Sequence, residues 1–281
     1  MHKNFPVSGV DICKVNNSRR VKEAEYSVDN LQVNQNEFSM QVDGVGSFYV
    51  CNGNEVEYAP IKGADPDWVN IYLNGQVLAA LLHQRKIINF HASSFIYKTH
   101  GVMILGETGA GKSSLTAAFT MDNAVFLSDD FTPVIFSEGV PDIWPVYKTI
   151  KVRSNTISQL MIDESMTRKA EQGTGKYFFE VVNTGIEKYP LHYIIKIEIG
   201  QALLTGFTIP APAENFALLR SEICSWEILN GMPETEKAYL EQLVEIVKHV
   251  EIIKVVRPEE ILISDLYRAI CDYMSENYKL L

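Results

Sequence analysis

Apolar and polar residues alternate in short runs along the first part of the chain, with turn signals between them. Phe38–Val42, Ser47–Val50 and Glu55–Tyr58 read as strands of period two, and Asp43-Gly44 and Asn52-Gly53 supply the turns. Residues 1–66 therefore predict a small antiparallel β lobe. The period then changes: Trp68, Ile71, Tyr72, Val77, Leu78, Leu81 and Leu82 recur at helical spacing, with Asp67 suited to the cap and Arg85 and Lys86 near the end. Residues 87–97 read as one strand, and 98–101 as a turn into another, Met103–Leu105.

Further on, 124–127 and 131–136 are apolar runs with strand character, joined by Ser128, Asp129 and Asp130. Segment 163–175, rich in charge, Gly and Thr, predicts a mobile loop, and strand character resumes at 176–182 and 193–199. The remainder predicts helices over 212–229 and 234–250, a short strand at 252–256, and a helix over 258–274 with Pro258 in its first turn. The expected organisation is a β lobe over 1–66 and a larger α/β domain over 67–281, with its C-terminal helices from about residue 212.

A chain of 281 residues can bury a sizeable core. Its net charge of −10 gives no electrostatic support to nucleic-acid binding, so any polyanion must be met locally. Cys13, Cys51, Cys224 and Cys271 are scattered with no C-x-x-C pair, which argues for a reducing compartment and against structural zinc. No signal-peptide core and no run near the ~20 apolar residues of a membrane span is visible, so a cytoplasmic location without membrane contact is expected.

Chemistry enters at G-x-x-x-x-G-K-S: Gly106, Glu107, Thr108, Gly109, Ala110, Gly111, Lys112 and Ser113, followed by Ser114 in a helical run. Between a buried strand and a helix this pattern predicts a phosphate-binding loop. Its backbone N–H groups would face phosphate oxygens, Lys112 would meet the β and γ phosphates, and Ser113 would offer its hydroxyl to Mg²⁺. Carboxylates after a hydrophobic strand suit a metal site, so Asp129 and Asp130 suggest two jobs, one taking a proton from an incoming hydroxyl and one acting on the metal. Adjacent residues of a regular strand face opposite ways, so both can serve one site only if the strand ends or twists there. His91 stands in an apolar run, where a lone histidine is more often a core group than a catalytic one. Arg153, Lys176 and Arg220 are weaker candidates for guiding phosphate or acceptor.

The combination of His91-Ala-Ser-Ser, the loop, and Ser128-Asp129-Asp130 resembles the HPr kinase/phosphorylase family and its smaller serine-kinase relatives, including those that phosphorylate lasso-peptide precursors. The placement of His91 before the loop and of Asp129 after Lys112 is part of the likeness, which covers roughly 40–200. It implies a P-loop mixed-sheet core shared with phosphoenolpyruvate carboxykinases. It also implies Asp129 as general base with His91 hydrogen-bonded near it, Lys112 on the phosphates, and Ser113 and Asp130 around Mg²⁺. The expected activity is an ATP- and Mg²⁺-dependent kinase acting on a hydroxyl, such as serine of a peptide or protein, in a family that often forms homo-oligomers. A small-molecule kinase and a nucleotide-binding regulatory module are the alternatives. The chain departs from the bifunctional enzymes at Asp142–Lys148, where they carry a glycine-containing segment for the carrier protein, which points away from HPr as the acceptor.

Overall fold

The computed structural model describes residues 5–170, 175–181, 185–201 and 203–278. They divide into two compact units, one built from residues up to Asn89 together with Ile223–Gln242, the other from Phe90–Glu222 and the chain after Gln242. Among the described residues no helix is long and apolar enough to cross a membrane.

The first unit is built on a six-stranded sheet of β1 (Asp11–Lys14), β2 (Tyr26–Val28), β3 (Leu31–Val33), β4 (Glu37–Val42), β5 (Gly46–Cys51) and β6 (Glu55–Pro60), ordered β1–β6–β5–β4–β3–β2. Only the β1–β6 pairing is parallel within it. Asn52 and Gly53 both adopt positive φ, 51° and 66°, as a tight β5–β6 hairpin requires. The expected single helix is instead α1 (Pro66–Tyr72), a π-helical segment at Leu73–Val77, and α2 (Leu78–Gln84), with non-helical dihedrals at Gly75. Asp65, rather than Asp67, caps α1: its carboxylate accepts from the Asp67 N–H at 2.9 Å and Pro66 takes the first helical position.

This unit does not stop at residue 66. Gly231 lies so close to Val33 that a Cβ there would meet the Val33 Cβ at 2.8 Å, and Gln35 Nε2 donates to Thr235 Oγ1 at 2.9 Å. Residues expected to belong with the C-terminal helices thus complete the N-terminal lobe. The predicted 212–229 helix is α5 (Pro212–Ser221) followed by a 3₁₀ turn at Trp226–Gly231, and α6 is Pro233–His249.

The expected strand 87–97 is interrupted at His91, between β7 (Asn89–Phe90) and β8 (Ala92–Tyr97). In the second unit, β9 (His100–Gly106), β10 (Val125–Ser128), β11 (Thr132–Ser137), β12 (Val140–Ile143), β16 (Tyr189–Gly200), β17 (Gly206–Thr208) and β18 (Glu251–Pro258) join β8 in a mixed sheet. β9 and β18 run parallel to β16, whereas β8 and β10 continue antiparallel beyond β9. Pro258 ends β18 instead of opening a helix, and α7 starts at Ile263 (Ile263–Tyr278).

Leu115 and Phe119 of α3 (Lys112–Met121), with Leu266, Ile270 and Met274 of α7, bury against Val102, Ile104, Ile195, Ile197, Ile253 and Val255 of the sheet. Phe95 stacks on Phe119 at 4.5 Å between ring centroids. A separate three-stranded sheet, β13 (Thr149–Arg153), β15 (Lys176–Glu180) and β14 (Thr167–Lys169), packs Ile150, Val152 and Phe179 around Ala117 and Phe126. α4 (Ser154–Leu160) follows β13 directly. Within the expected mobile loop 163–175, Glu164–Met166 forms a 3₁₀ turn and Thr167–Lys169 is strand, while 171–174 lie outside the described residues, as do 182–184 of the region around the expected strand end.

Candidate active site

Gly106 ends β9, an interior strand between β8 and β16, where a Cβ would stand 2.7 Å from the Ile197 carbonyl oxygen and 3.0 Å from Ala110 Cβ. Its φ of 153° and those of Gly109 (91°) and Gly111 (109°) are values that side-chain-bearing residues rarely adopt. The loop curls over itself, with the Ala110 N–H donating to the Glu107 carbonyl at 3.0 Å, and opens α3 at Lys112 with no side-chain cap. The first N–H groups of that helix therefore remain available to an anion at the positive end of its dipole. Lys112 Nζ donates back to the carbonyls of Gly106 (2.5 Å) and Glu107 (3.3 Å). Burial pushes its pKa down, opposed by the charges of Glu222, Asp130 and Asp129.

A cavity of about 310 Å³ opens over this loop. Glu107, Thr108, Gly109, Gly111, Lys112, Ser113 and Ser114 line it, so most of the expected nucleotide-binding residues meet there, joined by His91 and Asp130. Its remaining walls come from β13 and α4, including Lys151, Arg153 and Thr156, and from Arg257, Ile261, Ile263 and Leu266. Lys176 also lines it, whereas Arg220 does not.

The two aspartates occupy different environments. Asp129, 2% exposed, accepts from the hydroxyls of Ser93 and Ser113 (the latter at 2.9 Å) on Oδ1 and from the Lys151 N–H at 2.9 Å on Oδ2. Burial, then the neighbouring charge of Asp130, pushes its pKa up to about 6, against those three hydrogen bonds. β10 ends at Ser128, so strand alternation no longer governs the pair; Asp130 adopts φ 65°, and its carboxylate stands 3.6 Å from Lys151 Nζ. His91 Nδ1 lies 3.2 Å from the Asp130 main-chain oxygen, and the His91 N–H donates to the Glu222 carbonyl at 3.0 Å. Burial, then Lys112, lowers the imidazole pKa, so the ring is favoured neutral; with Nδ1–H donating to Asp130, Nε2 is left as an acceptor. The hydrogen bond of His91 is thus to the backbone of Asp130, where the resemblance implied proximity to Asp129.

Several members of this site carry no motif. Arg257 braces the loop from β18, its Nε donating to the Ala110 carbonyl at 2.8 Å and Nη2 to that of Gly109 at 3.3 Å. Lys196, on β16, forms a largely buried ion pair with Glu222. Ser93 lay inside the quoted His91-Ala-Ser-Ser run without a role; Lys196 signals itself in sequence as one cation within an apolar strand.

The donor set fits Mg²⁺ and a nucleotide. The positive-φ glycines and uncapped α3 suit phosphate, and the Ser113 hydroxyl with the two carboxylates supplies the oxygen ligands that Mg²⁺ prefers. Among the described residues no three His, Cys, Asp or Glu side chains gather to hold a metal by themselves, so such an ion would take further ligands from phosphate and water.

No family model matches the chain, and no curated protein matches it. Among solved structures it is similar to the Hpr(Ser) kinase/phosphatase from Coxiella burnetii, with 12% sequence identity over 67% of this chain and 97% of that one, at a TM-score of 0.36. At that identity and score the likeness carries no weight for activity.

Proposed function

We propose that this chain is a Mg²⁺- and ATP-dependent phosphotransferase that moves the γ-phosphoryl group to a hydroxyl, such as serine of a peptide or protein. The observation that carries the reading is one cavity lined by a phosphate loop, Lys112, Asp130 and His91, with the Asp129 carboxylate held on Ser113 behind it. Phosphoryl transfer asks little covalent chemistry of a protein, so positioning and charge neutralisation suffice. The loop N–H groups and Lys112 would hold the phosphates, with Lys112 exchanging its two loop carbonyls for phosphate oxygens. Bound Mg²⁺ would neutralise charge on those phosphates, held at Ser113 with the acidic pair.

The resemblance implies Asp129 for the proton and Asp130 for the metal. The exchanged division has more direct geometric support. Asp129 already shares the Ser113 hydroxyl and is closed off by three donors, whereas Asp130 opens onto the cavity beside His91. In this division Asp130 accepts the hydroxyl proton, and Asp129 orients Ser113 and supplies negative charge behind the ion.

Asp129→Asn and Asp130→Asn distinguish the two in assays of γ-phosphoryl transfer and of Mg²⁺-dependent ATP binding. The expected result is that D130N loses transfer by 10²-fold or more, the general-base contribution, while binding Mg·ATP, and that D129N loses the Mg²⁺ dependence of binding. The opposite pattern restores Asp129 as the base. Full transfer activity in both variants would sink both assignments of the pair, and absence of transfer by the unmodified chain with Mg·ATP and serine peptides would sink the phosphotransferase reading.

A further inference from the structure

We infer that the first unit carries a ligand site of its own, a cavity between its six-stranded sheet and segment 15–25, and that the ligand is a free amino acid held as its zwitterion. Strand alternation in β4 and β5 sends Phe38, Met40, Phe48 and Val50 to one side of the sheet and Ser39, Gln41, Ser47 and Tyr49 to the other. Segment 15–25, which forms neither helix nor strand, crosses that second, polar side. It is pinned there at several points. Ser18 Oγ donates to Ser47 Oγ at 2.8 Å, and the Glu25 N–H donates to the Val33 carbonyl at 2.9 Å. Between them the Arg19 guanidinium reaches Glu55 at 2.7 Å and Glu57 at 2.8 Å, 4.5 Å from the Tyr49 ring centroid. A cavity of about 310 Å³ lies under this strap, lined by residues of the first unit.

Three groups in it lack the partners that such groups ordinarily find. Ser39 is 6% exposed and lines the cavity, yet its hydroxyl has no hydrogen-bond partner among the described residues. Buried hydroxyls are nearly always paired, so this one is available to a ligand. Arg20 and Asp29 also line the cavity, and among the described residues neither has an ionic partner. Arg20 gives a single bond, from Nη2 to the neutral Gln41 Oε1 at 3.2 Å, while the Gln41 N–H donates to the Asn30 carbonyl at 3.0 Å. Gln41 thus stands between the cation and the turn that carries the anion. Because Glu55 and Glu57 already neutralise Arg19, the charges left open are one of each sign.

Those two charges select the ligand. An anion alone is repelled by Asp29, a cation alone by Arg20, and a neutral polyol leaves both uncompensated. A molecule with a carboxylate and an ammonium matches both: the unused edge of the Arg20 guanidinium takes the carboxylate, and Asp29 accepts from the ammonium. With a hydrogen bond of ~2.9 Å at each end, such a molecule bridges groups too far apart to pair directly. Ser39, two residues from Gln41 on the same side of β4, adds its hydroxyl. The amides of Asn17 and Gln32, also in the lining, suit a polar side chain. The volume corresponds to about ten waters at ~30 Å³ each, at the lower end of small-molecule sites, which is room for one amino acid.

The test is calorimetry on the full chain with each proteinogenic L-amino acid at up to ~10 mM, a range that detects millimolar affinity. At least one polar amino acid is expected to bind. Its counterpart amine without the carboxylate, and its counterpart acid without the amine, should each bind at least tenfold more weakly. Arg20→Gln and Asp29→Asn should each weaken the amino acid by tenfold or more, as loss of a charged hydrogen-bond partner does, and Ser39→Ala by several-fold. Loss in these variants places the ligand here rather than at the phosphate cavity. Absence of binding by every amino acid would overturn the site, as would an amine, an acid or glucose that binds as tightly as the amino acid. Affinity unchanged in both Arg20→Gln and Asp29→Asn would overturn it equally. The comparison of amino acid, amine and acid uses the unmodified chain, so a variant that misfolds cannot decide the outcome.

Discussion

At the scale of single residues, Asp129 is the group whose chemistry depends most on its surroundings. Buried next to Asp130, it holds its proton up to about pH 6 rather than the ordinary 3.8. The folded state therefore binds that proton more tightly than the unfolded chain. The associated stability is fully present below pH 3.8 and is lost as pH rises through about 6, a span worth about 3 kcal/mol at 1.36 kcal/mol per unit. Turnover should run the other way, because the ionised form is the one that can back a metal or take a proton. In assays at subsaturating Mg·ATP, where kcat/KM follows the ionisation of the free enzyme, the rate is expected to climb with a slope near one up to about pH 6 and then level, while the thermal midpoint of the free protein falls over the same window. A rate independent of pH from 4 to 8 would contradict the assignment of a catalytic duty to Asp129. The pair itself was legible in sequence as carboxylates after an apolar run. Their different burial was not, because it depends on the strand ending at Ser128, on the φ of 65° at Asp130 and on Lys151 arriving from β13.

At the scale of elements, the strand–loop–helix unit from β9 to α3 was legible because its residues are contiguous and each glycine answers a local backbone demand. What holds the loop from outside was illegible, since β18 reaches it through the parallel order of β9, β16 and β18. Arg257 leaves the end of that strand and spreads its donors over the carbonyls of Gly109 and Ala110 and, on its own side, Pro258 (2.7 Å) and Glu259 (2.9 Å). It thereby ties the loop to the segment leading into α7. A charged donor lost from a largely buried network costs about 1.5–3 kcal/mol. Arg257→Ala should lower the unfolding free energy by about that amount and loosen Mg·ATP by about tenfold, the equivalent of 1.4 kcal/mol spent on reordering the loop. Arg257→Lys, which cannot span two carbonyls with a rigid fork, should recover part of the stability but little of the affinity. Calorimetry of nucleotide binding alongside urea unfolding measures both, and unchanged affinity in Arg257→Ala would show that the brace is unnecessary.

At the scale of the whole molecule, the alternating strands over 37–60 were legible, but the extent of the unit around them was not. Sequence periodicity reports which way a side chain faces, and it is silent about which distant segment closes over that face. Here the chain returns at Ile223–Gln242 to complete the first unit, and a polar cluster on Tyr239 fastens the return. Tyr239 is 1% exposed, and burial raises its phenol pKa well above the ordinary value, so it remains protonated. Its hydroxyl donates to the Ile87 carbonyl at 2.6 Å and lies 2.9 Å from His83 Nδ1, while His83 Nε2 lies 3.0 Å from the Cys224 carbonyl oxygen. Thr235 Oγ1 adds a bond to the His83 carbonyl at 3.1 Å. Tyr239→Phe keeps the ring and removes one oxygen, so the apolar packing survives and the loss isolates the polar tie. Leaving buried partners short of a hydrogen bond costs about 1–3 kcal/mol. The urea midpoint should fall accordingly, with the slope of the transition unchanged, because the same surface is exposed on unfolding. The phosphate loop lies in the other unit, so Mg·ATP affinity should stay where it was. A loss of unfolding free energy below about 0.5 kcal/mol would mean that the Tyr239 hydroxyl contributes little to holding the return segment.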